Sequence, residues 1–254
     1  MSPLPRRIAA PRFGARAGIA FAALFVLALP FAVLAALVRS AYNPLFRLDR
    51  GVAADLHGFA LDHPHFTSTM RFFSDTGKPV VWWVILTPVA AWLLYRRLVR
   101  LASFVAVTAV GSGLLNMAIK AAVDRARPAL PDAVAVATGK SFPSGHTQAA
   151  VVGYGILVLV FLPLVAPRAR RWVIAAAAAM VVTIGFSRIA LGVHYLSDVV
   201  AGLLVGGAWL LCTTAAFSAW RREEGKPGVH VSEGLEPENI GDHAAPAGAD
   251  GRPT

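Results

Sequence analysis

Long apolar runs alternate with short basic turns along this chain. Residues 17–38 carry no charge and exceed the roughly 20 residues a helix needs to cross a bilayer. Further runs fall at residues 80–95, 101–123, 147–165, 172–191 and 194–217. Together they predict an all-α fold, a polytopic membrane bundle of about six transmembrane helices. The first run follows a basic arm, residues 1–16, with Arg6, Arg7, Arg12 and Arg16. A signal peptide starts in the same way, but its apolar stretch is only about 7–15 residues, so an uncleaved first span is expected.

Residues 39–78 are mixed. Leu56, Phe59, Ala60, His63 and Phe66 recur near helical spacing with Asp55, Asp62 and His65 between them. This predicts an amphipathic helix lying at the membrane interface. Residues 129–141 read as a loop, and residues 167–171 as a short basic turn. Residues 221–254 are rich in Gly, Pro, Glu and Ala and lack aromatics, so a disordered acidic tail is expected. The expected organisation is thus an arm (1–16), a membrane domain (17–220) and a tail (221–254). No internal repeat is visible at solenoid periods.

Composition agrees with the pattern: 56% of the 254 residues are hydrophobic and the mean hydropathy is +0.60. The single cysteine, Cys212, lies in an apolar run and supports neither a disulfide framework nor a thiol metal site. Net charge is +10, and residues 223–254 alone carry −5, which leaves +15 on the rest. Nucleic acid is a poor partner for that excess, because the cations sit at the ends of apolar runs, where they anchor helices and set topology. The arm, Arg96–Arg100, Arg168–Arg171 and Arg221–Arg222 then share the cytoplasmic side. Residues 39–78, 129–141 and 189–194 share the other face. Lys120, Arg127 and Lys140 break the charge bias by lying on that outer face, and a ligand explains cations there better than topology does.

Three polar clusters reach the outer face. The first runs from Lys120 through Asp124 and Arg125 to Arg127 and Pro128. The second is Phe142-Pro143-Ser144-Gly145-His146. The third contains Ser187, Arg188, Gly192, His194 and Asp198. His194 and Asp198 are four residues apart at the start of an apolar run, which places them on one helical face. A carboxylate there can hold one imidazole nitrogen protonated and leave the other as nucleophile or base. The same pair could simply anchor a helix end, although ionisable groups beside a span more often mark function. Ser144 and Gly145 suit an anion at a helix start, where free N–H groups converge, and equally suit an ordinary cap. His146 could protonate a leaving oxygen. Lys120, Arg127 and Arg188 are fixed cations matched to phosphate oxygens. Arg125 and Lys140 are read as snorkelling to the headgroup region.

Taken together, the Lys-x6-Arg-Pro, Pro-Ser-Gly-His and Ser-Arg-x5-His-x3-Asp clusters, in that order, resemble the phosphatidic acid phosphatase type 2 superfamily of membrane lipid phosphatases. Phe73-Ser74-Asp75-Thr76-Gly77 resembles a weaker segment ahead of the second span in such proteins. The resemblance implies that His194 attacks phosphorus to form a phosphohistidine, that Asp198 orients His194, and that His146 protonates the leaving oxygen. It also implies that Lys120, Arg127, Arg188, Ser144 and Gly145 hold the phosphoryl oxygens. No carboxylate cluster suited to Mg²⁺ lies near these positions, so no cofactor or metal is expected. The expected substrate is a membrane lipid phosphate or diphosphate of the undecaprenyl diphosphate, phosphatidylglycerol phosphate or phosphatidate class. The expected location is the bacterial inner (cytoplasmic) membrane, with the site facing the periplasm. Vanadium haloperoxidases share the same anion pocket by resemblance, but they are soluble. Transfer of the phosphoryl group to another acceptor stays open beside hydrolysis, as does a non-enzymatic lipid transporter. The clusters leave the oligomeric state open.

Overall fold

The structure is a computed structural model that describes residues 13–132, 134–223 and 234–235. The arm expected at residues 1–16 falls almost wholly outside them, as does most of the expected tail. The described residues form eight α-helices: α1 (Phe13–Arg39), α2 (Asn43–Asp62), α3 (Pro64–Thr76), α4 (Pro79–Tyr95), α5 (Val99–Val123), α6 (Gly145–Phe161), α7 (Pro167–Ala190) and α8 (Leu196–Glu223). A short 3-10 turn, Leu162–Leu164, extends α6.

Helices α5, α6 (with its 3-10 extension), α7 and α8 are each long and apolar enough to cross a membrane. Two bent pairs bring the total to as many as six. Helix α6 is the centre, packed against α4, α5, α7 and α8, with α1 laid on α8. Its inward side chains are fully buried, among them Ala150, Val152 and Ile156. Apolar residues also cover the outside, such as Phe25, Val84, Leu114 and Val182. In a bilayer that exterior is the expected arrangement, because lipid tails are as apolar as the core. Close approach of α8 to the start of α6 requires Gly202. A Cβ there would lie 2.8 Å from the Ser144 carbonyl oxygen and 3.0 Å from Thr147 Cβ.

Several element boundaries differ from the sequence expectation. Residues 39–78 form two helices and not one interfacial helix. Pro64 stands at the first position of α3, and proline disfavours a helical residue before it, so the chain breaks at His63. Helix α2 turns 92° from the axis of residues 25–39, while α3 and α4 bend by only 42°. The buried face of α2 is Asp49, Ala53, His57 and Ala60, whereas Phe59 stays exposed. The basic residues 168–171 belong to the first turn of α7, which Pro167 initiates. Within the stretch expected as a tail, Gly234 and Leu235 are described: Leu235 is fully buried and its N–H donates to the Leu159 carbonyl at 2.6 Å.

Candidate active site

The site gathers at one end of the bundle, where α2, α3 and the connections 124–144 and 191–195 meet. His57 Nε2 lies 2.6 Å from the Pro131 carbonyl, and Arg71 Nη2 donates to the Val134 carbonyl at 2.7 Å, so α2 and α3 both hold the α5–α6 connection. The turn between α7 and α8 passes through Gly192 at φ +69°, a backbone region that disfavours side chains. A Cβ there would meet Leu130 at 2.8 Å.

His194 lies in this turn and not on α8, so its partnership with Asp198 is not the helical i, i+4 contact that the spacing suggests. Tyr195 is the last residue before α8, and its N–H donates to Asp198 Oδ2 at 2.9 Å. An acidic side chain reaching back to the cap N–H is half of a capping box. This fixes Asp198 Oδ2, which then lies 3.3 Å from His194 Nδ1. Asp198 is wholly buried and accepts also from the Ser141 hydroxyl and, at Oδ1, from Arg125 Nη1 at 2.7 Å. Four donors saturate the roughly four lone-pair positions of a carboxylate.

On the opposite ring edge, Arg127 Nη1 lies 3.1 Å from His194 Nε2. A guanidinium has only hydrogens to give, so Nε2 is the unprotonated nitrogen and Nδ1 carries the hydrogen toward Asp198. Burial pulls His194 from its ordinary value to about 4; Asp198 opposes the shift, and Arg127 and Arg188 add to it. The imidazole is therefore neutral at pH 7, with its one lone pair turned to Arg127.

Arg127 also walls a cavity of about 490 Å³, together with His146, Arg188, Ser74, Arg71 and Lys78 among others, while His194, buried against Arg127, does not line it. Arg188 reaches it from the last turn of α7 and donates to the Ser74 hydroxyl. Ser74 belongs to the weaker Phe73–Gly77 segment of the sequence, so that segment does reach the site. Arg127 is braced by the Gly139 carbonyl at 3.0 Å and the Val193 carbonyl at 2.8 Å. Lys120 donates to the Lys140 carbonyl at 2.6 Å, which Arg127 Nη2 also approaches at 3.4 Å. Lys120 stands close enough to Arg127 and Asp198 to feel both charges, but is not part of the cavity wall.

Ser144 is buried and caps α6, with its Oγ accepting from the Thr147 hydroxyl at 3.0 Å and the Thr147 N–H at 3.5 Å. Its own N–H donates to the Asp198 carbonyl at 2.9 Å, which stitches the α6 start to the α8 start. Gly145 opens α6 and lines a second, largely apolar groove of about 340 Å³ between α4, α5 and α6. Trp82, Leu86, Val110, Leu114 and Met117 form its walls, so the groove runs from the polar end toward the bilayer interior.

Arg125 corrects the sequence reading. It is not a snorkelling side chain: it is 6% exposed, bonded to Asp198 at 2.7 Å and to Asp49 at 2.6 Å. Asp49, Ser141 and Ser74 were likewise missed as parts of the site. Arg-x-Arg spacing ahead of Pro128 was the available signal for Arg125, since one of two neighbouring cations facing each way fits a turn. Asp49 gave none, because its partners are more than 70 positions away. Lys140 is half-exposed and pairs with Asp124. Among the described residues, no group of three His, Cys, Asp or Glu is placed to hold a metal ion.

Fold and site define an integral-membrane helical bundle with a cation-lined pocket at one end. The chain belongs to the PAP2 superfamily, whose profile matches residues 100–222. A decaprenylphosphoryl-5-phosphoribose phosphatase of Mycobacterium tuberculosis is 35% identical over 153 residues, 58% of this chain and 77% of that protein. A lipid A 1-phosphatase of Rhizobium etli is 35% identical over 120 residues, 44% of this chain and 48% of its own length. Phosphatidylglycerophosphatase B of Bacillus subtilis is 33% identical over 96 residues, 37% and 46% of the two chains. The match thus spans about half the length of the lipid A 1-phosphatase. Among solved structures, the transmembrane PAP2-type phosphatidylglycerolphosphate phosphatase of Bacillus subtilis is similar with a TM-score of 0.65 and 25% identity. That likeness covers 76% of this chain and 95% of the other.

Proposed function

We propose that this protein is a membrane lipid phosphatase that removes a phosphate from a lipid phosphate or diphosphate through a phosphohistidine on His194. The observation that carries the reading is the buried imidazole with its Nδ1 facing Asp198 and its Nε2 facing Arg127, itself a wall residue of the cation-lined cavity. A phosphoryl group that takes the hydrogen bonds of Arg127 leaves Nε2 free to attack phosphorus. As the P–N bond forms, the bond to the lipid oxygen breaks, and His146 on the cavity wall, which among these cations holds a proton only while the bound phosphate anion offsets them, passes that proton to the oxygen. Water then attacks the phosphohistidine, His146 takes its proton, and orthophosphate leaves with His194 restored. Arg127 and Arg188, which wall the cavity, carry the charge on the equatorial oxygens. Lys120, Ser144 and the Gly145 N–H, which do not line it, are assigned as further phosphate ligands by the family resemblance alone. Asp198 stabilises the positive charge that His194 acquires.

The apolar groove supports a lipid substrate, because Gly145 lines it and the next residue, His146, lines the cation-walled cavity. One lipid chain can descend beside α4 while the headgroup stays among the cations. The names of the relatives support the same class: lipid phosphates with varied headgroups. Substrates of the phosphatidylglycerol phosphate, undecaprenyl diphosphate or phosphatidate class fit, presented on the periplasmic leaflet of an inner membrane.

Orthophosphate release from these three lipids in detergent, with and without EDTA, tests the reading. At least one should be hydrolysed at a rate EDTA leaves unchanged, and His194→Ala should lose it. Silence across the panel, or abolition by EDTA, overturns the proposal.

A further inference from the structure

We propose that Asp49 and Arg125 are positioning residues for the reaction: they set the Asp198 carboxylate from behind and keep its cluster one negative charge in excess, which makes α2 part of the active site. The inference rests on the reading of His194 and Asp198 above. Arg125 Nη1 donates to Asp198 Oδ1 at 2.7 Å and to Ser197 Oγ at 2.6 Å. Its Nη2 donates to Asp49 Oδ2 at 2.6 Å. Asp49 is tied back to the start of α8, accepting the Ser197 N–H at 2.9 Å and the Ser197 hydroxyl at 2.5 Å. The guanidinium lies over Tyr195 at 4.2 Å and over Phe46 at 4.8 Å, so its plane is fixed by two rings. Asp49 and Asp198 are both fully buried.

An ion pair that served only packing would need one carboxylate. Here one guanidinium faces two, so the buried group Asp49–Arg125–Asp198 sums to −1. Buried surplus charge is unfavourable unless something offsets it. At rest Lys120 and Arg127, which both feel the Asp198 charge, offset it in part, and the reaction adds to the offset: transfer of the phosphoryl group to Nε2, with Nδ1 still protonated, makes the His194 ring cationic. Without Asp49 the Arg125–Asp198 pair is neutral, and the cationic ring is less stabilised. Positioning acts in the same direction. Asp198 uses Oδ1 for Arg125, which leaves Oδ2 for His194, Ser141 and Tyr195. Helix α2 supplies neither a phosphate ligand nor a nucleophile, so this coupling explains why its buried face carries a carboxylate at all.

The test is a double-mutant cycle on the full-length protein in detergent. Turnover of p-nitrophenyl phosphate and phosphatidate is measured for wild type, Asp49→Asn, Asp198→Asn and the double variant, with Tm recorded for each. Inhibition by orthophosphate reports binding separately from chemistry. Asp49→Asn should lower kcat by about 10–100-fold, the usual cost of removing an outer partner of a reacting group, with the inhibition constant within about 2-fold of wild type. In the Asp198→Asn background the same change should cost less than about 3-fold, because its effect passes through Asp198. Asp49→Glu keeps the charge and should recover part of the lost kcat. Equal losses in both backgrounds, or a kcat of wild-type size in Asp49→Asn, overturn the proposal. If Asp49→Asn does not accumulate in the membrane, Asp49→Glu carries the test: an unchanged kcat, or a loss repeated in full beside Asp198→Asn, refutes it. A fully active Asp198→Asn would instead refute the underlying reading, which keeps the two failures distinct.

Discussion

Arg127 Nη1 donates to His194 Nε2 at 3.1 Å, so the guanidinium proposed to hold phosphate also covers the lone pair of the proposed nucleophile. In that reading the lone pair is uncovered when phosphate oxygens compete for the guanidinium. Loss of either histidine nitrogen's environment should therefore act on chemistry and leave the fold intact. His194→Ala is expected to abolish turnover. Asp198→Asn should lower kcat by about 10³-fold or more, by analogy with other carboxylates that orient a reacting imidazole. Quenched labelling with a radioactive lipid phosphate should place an acid-labile, base-stable label on His194. Label on Ser144, or turnover by His194→Ala, contradicts the assignment.

The acid limb of activity has a defined sign. Burial lowers His194 to about 4, so the proposed nucleophile stays unprotonated well below neutral pH. In the unfolded chain the same ring binds a proton near its ordinary value of 6.5. Its contribution is therefore complete above that value and is lost as pH falls toward the folded value. Thermal unfolding in detergent should show wild type losing stability between about pH 6.5 and pH 4 relative to His194→Ala. Parallel pH curves for the two proteins would contradict the shift.

His146 should show leaving-group dependence. A lipid alkoxide leaves poorly without a proton, whereas p-nitrophenolate and a phosphate leave readily. His146→Ala should thus depress hydrolysis of phosphatidate far more than that of p-nitrophenyl phosphate or a lipid diphosphate. Equal losses on all three would assign His146 to binding alone.

Topology is testable at Val136, which is 89% exposed in the connection that covers the site. In a Cys212→Ser background, Val136→Cys should react with a membrane-impermeant maleimide applied to intact spheroplasts. Labelling that requires lysis would put the site on the cytoplasmic side.

Leu235 packs into the cluster of Leu93, Leu159 and Phe217 at the end of the bundle away from the site. Leu235→Ala should cost about 2–5 kcal/mol where the pocket cannot collapse, with kcat unchanged. Truncation after residue 235 should leave both stability and activity intact. A loss of kcat at constant Tm would show communication between the two ends.

Six apolar runs are legible in the chain alone, to within six residues at their ends, because burial in lipid demands long uncharged helices whatever their neighbours. The sequence also singled out Arg127, His146, Arg188, His194 and Asp198, since charges beside membrane spans are rare enough to stand out. What it could not determine was which cations serve the ligand and which serve the fold. Arg125 and Arg127 are two positions apart on the chain, yet one points into the protein toward Asp49 and the other toward His194. Nor could periodicity choose the buried face of α2. The apolar pattern favoured Phe59, whereas the 92° bend after α1 turns Asp49 and His57 inward. Local pattern reports what each segment can bury. Only the tertiary structure decided which polar groups meet, because hydrogen bonds spanning 73 to 148 positions form only after the helices have packed.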